Sequence, residues 1–466
     1  MVLLLVSPVL ADDWPMLGGR PDRNMVSGEK NLPVTWGKAG RKNIRWIADL
    51  GTQTYGNPVV SNGRVFIGTN NGRPRNPAVQ GDRGVLMCFS ARDGKFLWQA
   101  VHDKLASGNA EDWVDIGICS TPCVEGERVY YVSNRGELVC CDVEGFADGQ
   151  NDGPWKKEKS TGTHDADIIW LLDMLETLDV SPYQASASSP LVKGDLVFVV
   201  TGQGVDNDTH KVKKPDAPSF IAVNRLTGKV VWQDSSPGDR ILEGQWGSPA
   251  LGVVEGKPQV AFPGGDGWLR AFEPETGTLL WKFNCKAHEK ASRNGNPETP
   301  NHLIATPVFI GHRVLIAVGQ NPEFGGGPGC LRAIDARKRG DVTGKSEVWR
   351  TTPGEFGSSI STVAVHEGLV YAIELDGLLD CFDLTSGKRI WQHDLLATVW
   401  GSPLVADGKV YVRNLDGDVV VFKTGRKKKV LATNTLPGLQ HGTVVAAGGV
   451  LYIAGANRLY AVAASD

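Results

Sequence analysis

Three groups of side chains in this sequence have types and spacings that could do chemistry. The first is aromatic and polar: Tyr55, Trp246, Trp400 and His441 stand just before short apolar runs that open on a small residue and Pro or Val, with Gln245 and Gln440 one position ahead of two of them and His302 close by. Gathered round one axis, such flat walls with a few amide donors suit a planar cofactor, a sugar or a peptide side chain. Trp246 and Trp400 could equally plug a channel as core, and two histidines are too few for a metal site. The second group is rich in oxygen: Asp148, Asn151 and Asp152, with Asp142, Asp165 and Asp167 nearby, carry the ligands a hard cation such as Ca²⁺ prefers. Where a helical calcium loop places a bidentate Glu this chain has Lys159, so a solvated turn is the better reading. The third group is the adjacent pair Cys140 and Cys141.

A repeat positions all three. Ala222-Val-Asn-Arg-Leu-Thr-Gly-Lys-Val-Val-Trp232, Ala271-Phe-Glu-Pro-Glu-Thr-Gly-Thr-Leu-Leu-Trp281 and Cys381-Phe-Asp-Leu-Thr-Ser-Gly-Lys-Arg-Ile-Trp391 each read as strand, Gly turn and strand ending in Trp. A second hairpin precedes each, as in Ser402-Pro-Leu-Val-Ala-Asp-Gly-Lys-Val-Tyr-Val412. Four strands per unit is the pattern of a propeller blade. Inner strands begin at Pro58, Pro122, Pro190, Pro249, Pro307, Val363, Pro403 and Val444, which sets the number of blades at eight. Outer strands carry Trp46, Trp98, Trp170, Trp232, Trp281, Trp349 and Trp391, with Val430 in the remaining place. The last unit lacks an outer strand, and the segment around Trp46 should supply it. The expected fold is therefore all-β: an eight-bladed β-propeller of four-stranded antiparallel blades, its ring closed by N- and C-terminal strands so that no sheet edge is left open.

Composition agrees. With 57 glycines and 26 prolines the chain is rich in turns, and its net charge of −3 gives no electrostatic case for nucleic acid. We expect residues 43–466 to form one propeller domain and residues 12–42 an N-terminal extension. Residues 1–11 are apolar and end in Val9-Leu-Ala11, as a signal peptide does, without the basic start of a complete one. They read as a truncated signal whose true start lies upstream, and hence as a sign of a periplasmic or secreted protein. No other segment approaches the roughly 18 apolar residues of a membrane span.

Aligned on the repeat, Cys140 falls in a column of small core residues and Cys141 in the next. Neighbours on a strand point to opposite faces, so a bond between the two is not expected. Cys119, Cys285 and Cys330 lie at strand ends or loop junctions and could pair.

This repeat, with its Thr-Gly-x-x-x-Trp hairpins and Ser-Pro inner strands, resembles the eight-bladed pyrroloquinoline-quinone-like (PQQ-like) repeat over roughly residues 43–463. That repeat occurs in quinoprotein alcohol dehydrogenases and in the propeller lipoprotein of the outer-membrane β-barrel assembly machine. The enzyme branch implies a quinone and Ca²⁺, with a disulfide between adjacent cysteines beside the cofactor; the strand register of Cys140-Cys141 departs from it, and the calcium ligands map onto no position. No Cys-x-x-Cys-His is present, so no covalent haem is expected.

The turns within hairpins are short, whereas connections at 70–84, 101–118, 156–187, 203–218, 235–246, 284–304 and 320–329 are expanded, and most of these belong to one face. Long connections in compact domains commonly carry function, although they could also only cap the channel. Three functions fit: a non-catalytic extracytoplasmic propeller binding a partner protein or peptide through this face, a PQQ- and Ca²⁺-dependent alcohol or sugar dehydrogenase, and a carbohydrate-binding module. They rank in that order, since neither quinone ligands nor a paired hydrolytic carboxylate set is recognisable.

Overall fold

The computed structural model describes residues 13–37, 42–286, 302–439 and 441–464. Its strands form eight antiparallel sheets, one per repeat, spanning 59–103, 123–173, 191–234, 250–284, 308–350, 364–394, 404–435 and 445–462. The last sheet takes Ile44–Asp49 as its outer strand, which pairs with Arg458–Val462 and sets Trp46 opposite Ala461. N- and C-terminal strands thus close the ring. Blade four gains a fifth strand, Gly340–Asp341, which runs parallel to Leu279–Asn284.

The Gly and Trp of the repeat meet across blade boundaries. In every blade the outer pair of strands carries a bulge at the Trp position, which in the seven blades that have the Trp re-aims the indole toward the next blade; in blade seven the bulge puts Ala432, not the expected Val430, in that place, opposite Val421. The rings of Trp46, Trp170, Trp232 and Trp349 lie on Gly94, Gly228, Gly277 and Gly387, where a Cβ would stand 2.6–2.7 Å from the ring and φ is 69–71°. Only glycine meets both demands. The indole N–H groups of Trp46, Trp98, Trp170, Trp232, Trp349 and Trp391 each donate to a backbone carbonyl of the following blade at 2.7–3.0 Å. Trp281 donates instead to Oε1 of Gln259, whose amide nitrogen passes the link on to the Ala336 carbonyl.

Nearer the axis a belt of side chains joins the starts of the inner strands. Thr121 Oγ1 accepts from Asn57 N, Ser189 Oγ from Thr121 N, Ser248 Oγ from Ser189 N, Ser402 Oγ from Thr362 N, Thr443 Oγ1 from Ser402 N, and Asn57 Oδ1 from Thr443 N. At six of the eight junctions the small-polar residue ahead of the Pro or Val is therefore an inter-blade clamp.

The extension is part of the fold. An inner strand presents one unpaired edge to the channel, and residues 14–29 satisfy those edges blade by blade. Trp14 exchanges both backbone hydrogen bonds with Val60, Val124 N donates to Pro15, Leu251 N to Pro21, Phe309 N to Asp22 and Val405 N to Met25. The Asn24 carboxamide mimics a strand residue against Val365, and Glu29 accepts from Gly448 N and Gly449 N. Arg23, fully buried, completes the set with bonds to the carbonyls of Leu17, Ser189, Pro190 and Pro249. All eight blades are contacted, and the end of the channel nearest the hairpin turns is closed.

Cys140 and Cys141 lie in Glu137–Asp142 and pack into different core clusters on opposite faces of the sheet, as the register predicts. All eight cysteines are free thiols, so the expected candidates Cys119, Cys285 and Cys330 do not pair.

Candidate functional site

At the channel end opposite the extension, the residues that precede the inner strands of blades one, seven and eight meet. Tyr55 and His441 stack with ring centroids 4.4 Å apart at 28°, and Trp400 flanks His441 at 4.8 Å and Tyr55 at 6.0 Å. All three are half-buried, so they form a wall with one wet face. The Tyr55 hydroxyl donates to Gln53. Burial pushes its phenol up to about 12, assisted by the nearby Cys119 and by the carboxylate of Glu323, which the 320–329 loop brings toward the axis.

Trp246 joins a second group. Its indole N–H donates to the Tyr183 carbonyl, and its ring lies 5.9 Å from that of Tyr183 and 5.8 Å from that of His302. His302 is fully buried with Nε2 3.5 Å from a Glu243 carboxylate oxygen, and Asn321 donates to the other oxygen of Glu243. Tyr183 and Glu243, which the repeat did not single out, are integral to this group.

One expected member does not line the mouth. Gln245 is fully buried, its amide nitrogen donating to Ser219 Oγ and its oxygen accepting from Gly265 N, because the connection before Ala250–Val254 turns it into the junction of blades three and four rather than the channel. Gln440 lies outside the described residues.

The oxygen-rich turn does not assemble into a cation site. Asp148 accepts from Gln150 N, Asn151 accepts from the Lys156 ammonium, and Asp152 lends only its backbone, donating to Asp167 and accepting from Lys156. Among the described residues no three His, Cys, Asp or Glu side chains converge as metal ligands. The turn has another use: 143–167 is the hairpin connection of blade two, and its end lies along the outer strand of blade one, with Gln99 N donating to His164 and Ala166 N to Gln99. Residues 156–167 therefore leave the loop-rich face to which the sequence spacing assigned them. The remainder of that stretch includes the short helix Met174–Leu178, capped by Asp173. A cleft of about 680 Å³ opens beside this connection, lined in part by Arg73, Arg75, Phe96 and His164, at the outer edge of the ring and away from the mouth.

The sequence reading missed Arg413. It ends the second strand of blade seven, in a column otherwise held by Gly68, Val132, Val200, Pro263, Ala317, Ile373 and Ala454. One charge in a column of uncharged residues was the available signal. Its guanidinium is buried, and Nη2 donates to the Ala454 carbonyl. Burial pushes it down to about 9. Burial, reinforced by this cation, brings the His441 imidazole down to about 4, so His441 is neutral at ordinary pH.

The quinone and Ca²⁺ of the enzyme branch do not fit this arrangement. The adjacent thiols are core residues of blade two rather than a cap on the mouth, and among the described residues no carboxylate set stands ready for the ion.

Comparison with known proteins gives the family. The family model described as outer membrane protein assembly factor BamB matches residues 176–337 and 327–466, together more than half of the chain. The chain belongs to this PQQ-like propeller family. Tetrathionate hydrolase of Acidithiobacillus ferrooxidans is 25% identical over 46% of this chain, and the assembly factor BamB of Burkholderia pseudomallei is 31% identical over 26% of it. These matches cover 41% and 30% of the relatives' own lengths. Among solved structures, BamB from Moraxella catarrhalis superposes with a TM-score of 0.57 at 15% identity, covering 89% of this chain and 97% of that one. At that identity the likeness is one of fold, and the PQQ-like propeller fold hosts both binding proteins and enzymes.

Proposed function

We propose that this chain is a non-catalytic binding propeller of the periplasm or cell exterior that takes a partner protein or peptide on its loop-rich face. The observation that carries the reading is a set of exposed apolar side chains on loops of that face: Trp113, Val114, Phe324, Leu396 and Leu439, with Leu396 87% exposed. Leu396 is also held at φ +64°, a left-handed conformation that costs a leucine free energy and is found where function holds it. Large exposed apolar residues grouped on one face mark association surfaces. The opposite end of the channel is filled by the extension, which leaves this face for a partner. The family's assembly-factor members support the reading, and the apolar start of the chain supports the location. No helix among the described residues is long and apolar enough to cross a membrane.

Site-specific photo-crosslinking in the native cell envelope tests it. A photoreactive residue in place of Leu396 should yield a discrete heteromeric adduct, and one in place of Val253, which is exposed on the inner hairpin of blade four, should not. Equal labelling from both positions, or none from position 396, would rule the reading out.

A further inference from the structure

Four arginines are buried among the described residues: Arg23, Arg270, Arg332 and Arg413. Three are answered by the protein. Arg23 holds four carbonyls, Arg270 forms a two-pronged pair with Asp266 at 2.9 and 2.6 Å, and Arg332 is bound to Glu347 and to the carbonyls of Cys285 and Lys286. Arg413 has one carbonyl at 2.6 Å, while its Nε and Nη1 have no protein acceptor and no carboxylate pairs with it. The buried Nδ1 of His441 also lacks a partner. An unanswered buried cation is costly to fold around, so its counter-charge is expected to come from outside the chain.

The chemistry of that counter-charge can be narrowed. One guanidinium beside a neutral imidazole offers a single positive charge and a planar fork of donors, which matches a carboxylate and would leave a dianion unneutralised. The neighbouring wall of Tyr55, His441 and Trp400 is aromatic and half-buried, which suits a flat apolar group. We infer that the channel mouth binds a carboxylate carried on an aromatic or other flat apolar group, with Arg413 taking the anion and the Tyr55–His441–Trp400 wall taking its carrier. The inference rests on the reading that the loop-rich face is the binding face. It supplies what a partner would insert there: a chain end or free acid of this kind.

Calorimetric titration of the whole protein tests it with three probes: N-acetylphenylalanine, its uncharged amide, and benzoate. N-acetylphenylalanine should bind saturably, and the amide at least tenfold more weakly. Arg413→Met should weaken the acid tenfold or more while keeping or raising the melting temperature. If that variant fails to fold, Arg413→Lys, which keeps the charge and loses the fork, should still weaken the acid measurably. Benzoate binding as well as N-acetylphenylalanine would identify a free aromatic acid as the source, and preference for N-acetylphenylalanine would identify a peptide carboxy terminus. Equal binding of acid and amide, no binding of either, or unchanged binding by the Arg413 variants would overturn the inference. Cross-linking from position 396 would be unaffected by that failure, so the two readings can fail separately.

Discussion

The two ends of the central channel are framed by the same eight inner strands and are finished in opposite ways. At one end the extension hydrogen-bonds to every blade in turn, and the buried cation Arg23 meets four carbonyls. At the other end the strands are followed by half-buried aromatic rings, and the buried cation Arg413 meets one. A buried charge that is fully answered belongs to stability, and one that is left open gives up stability where a ligand could recover it. Two arginines of equal burial therefore have different roles, and their partners decide which.

The contrast can be broken most forcefully at Arg23. Arg23→Met strands four buried carbonyls and should destabilise the fold by about 3–5 kcal/mol, read as a lower urea midpoint. Gly277→Ala should come next: a Cβ there meets the Trp232 ring at 2.6 Å in a left-handed turn, at a cost of about 2–3 kcal/mol in thermal unfolding. His441 sharpens the comparison through pH. It stays neutral when folded down to about 4 but is protonated in the unfolded chain below about 6.5, so the unfolded state binds the extra proton between those values. Stability should therefore fall as pH drops from about 6.5 to 4, by about 3 kcal/mol at most, and His441→Phe should flatten that limb. Arg413→Met should have the opposite sign to Arg23→Met, leaving stability unchanged or raising it by up to about 2 kcal/mol. The smallest effect belongs to reductants. With eight free thiols, dithiothreitol should leave the melting temperature unchanged, and a thiol reagent should count all eight only after denaturation.

Much of the ring was legible because the repeat encodes interactions between neighbours. Trp232 and Gly277 recur in register since one lies on the other, and the lone Trp46 ahead of the first inner strand pointed correctly to closure with the last blade. What escaped reading has no period. Residues 14–29 follow eight different strands in turn, so their contacts leave no pattern in sequence, and they read as an extension rather than as a structural plug. Gln245 stood one position ahead of the aromatic column, and the irregular connection that carries it turned it into a blade junction. The spacing that placed 156–167 on the wrong face failed because blade two replaces a short Thr-Gly turn with a long connection, and counting strands across it loses the parity of faces. Arg413 could have been found by asking which buried column holds a single charge.

The strand Ile44–Asp49 and the acceptor Glu29 find their partners beyond residue 444, at sequence separations of about 420 for Glu29. Because a chain emerges from the ribosome amino end first, Glu29 and Ile44–Asp49 are made early while their partners come last, with the final hairpin. Such distant contacts make closure slow, and the unfinished ring displays open inner edges while it waits. How long those edges stay open is therefore set by the order of the chain, with the closing strand at one end and its partners at the other, rather than by the stability of the finished molecule.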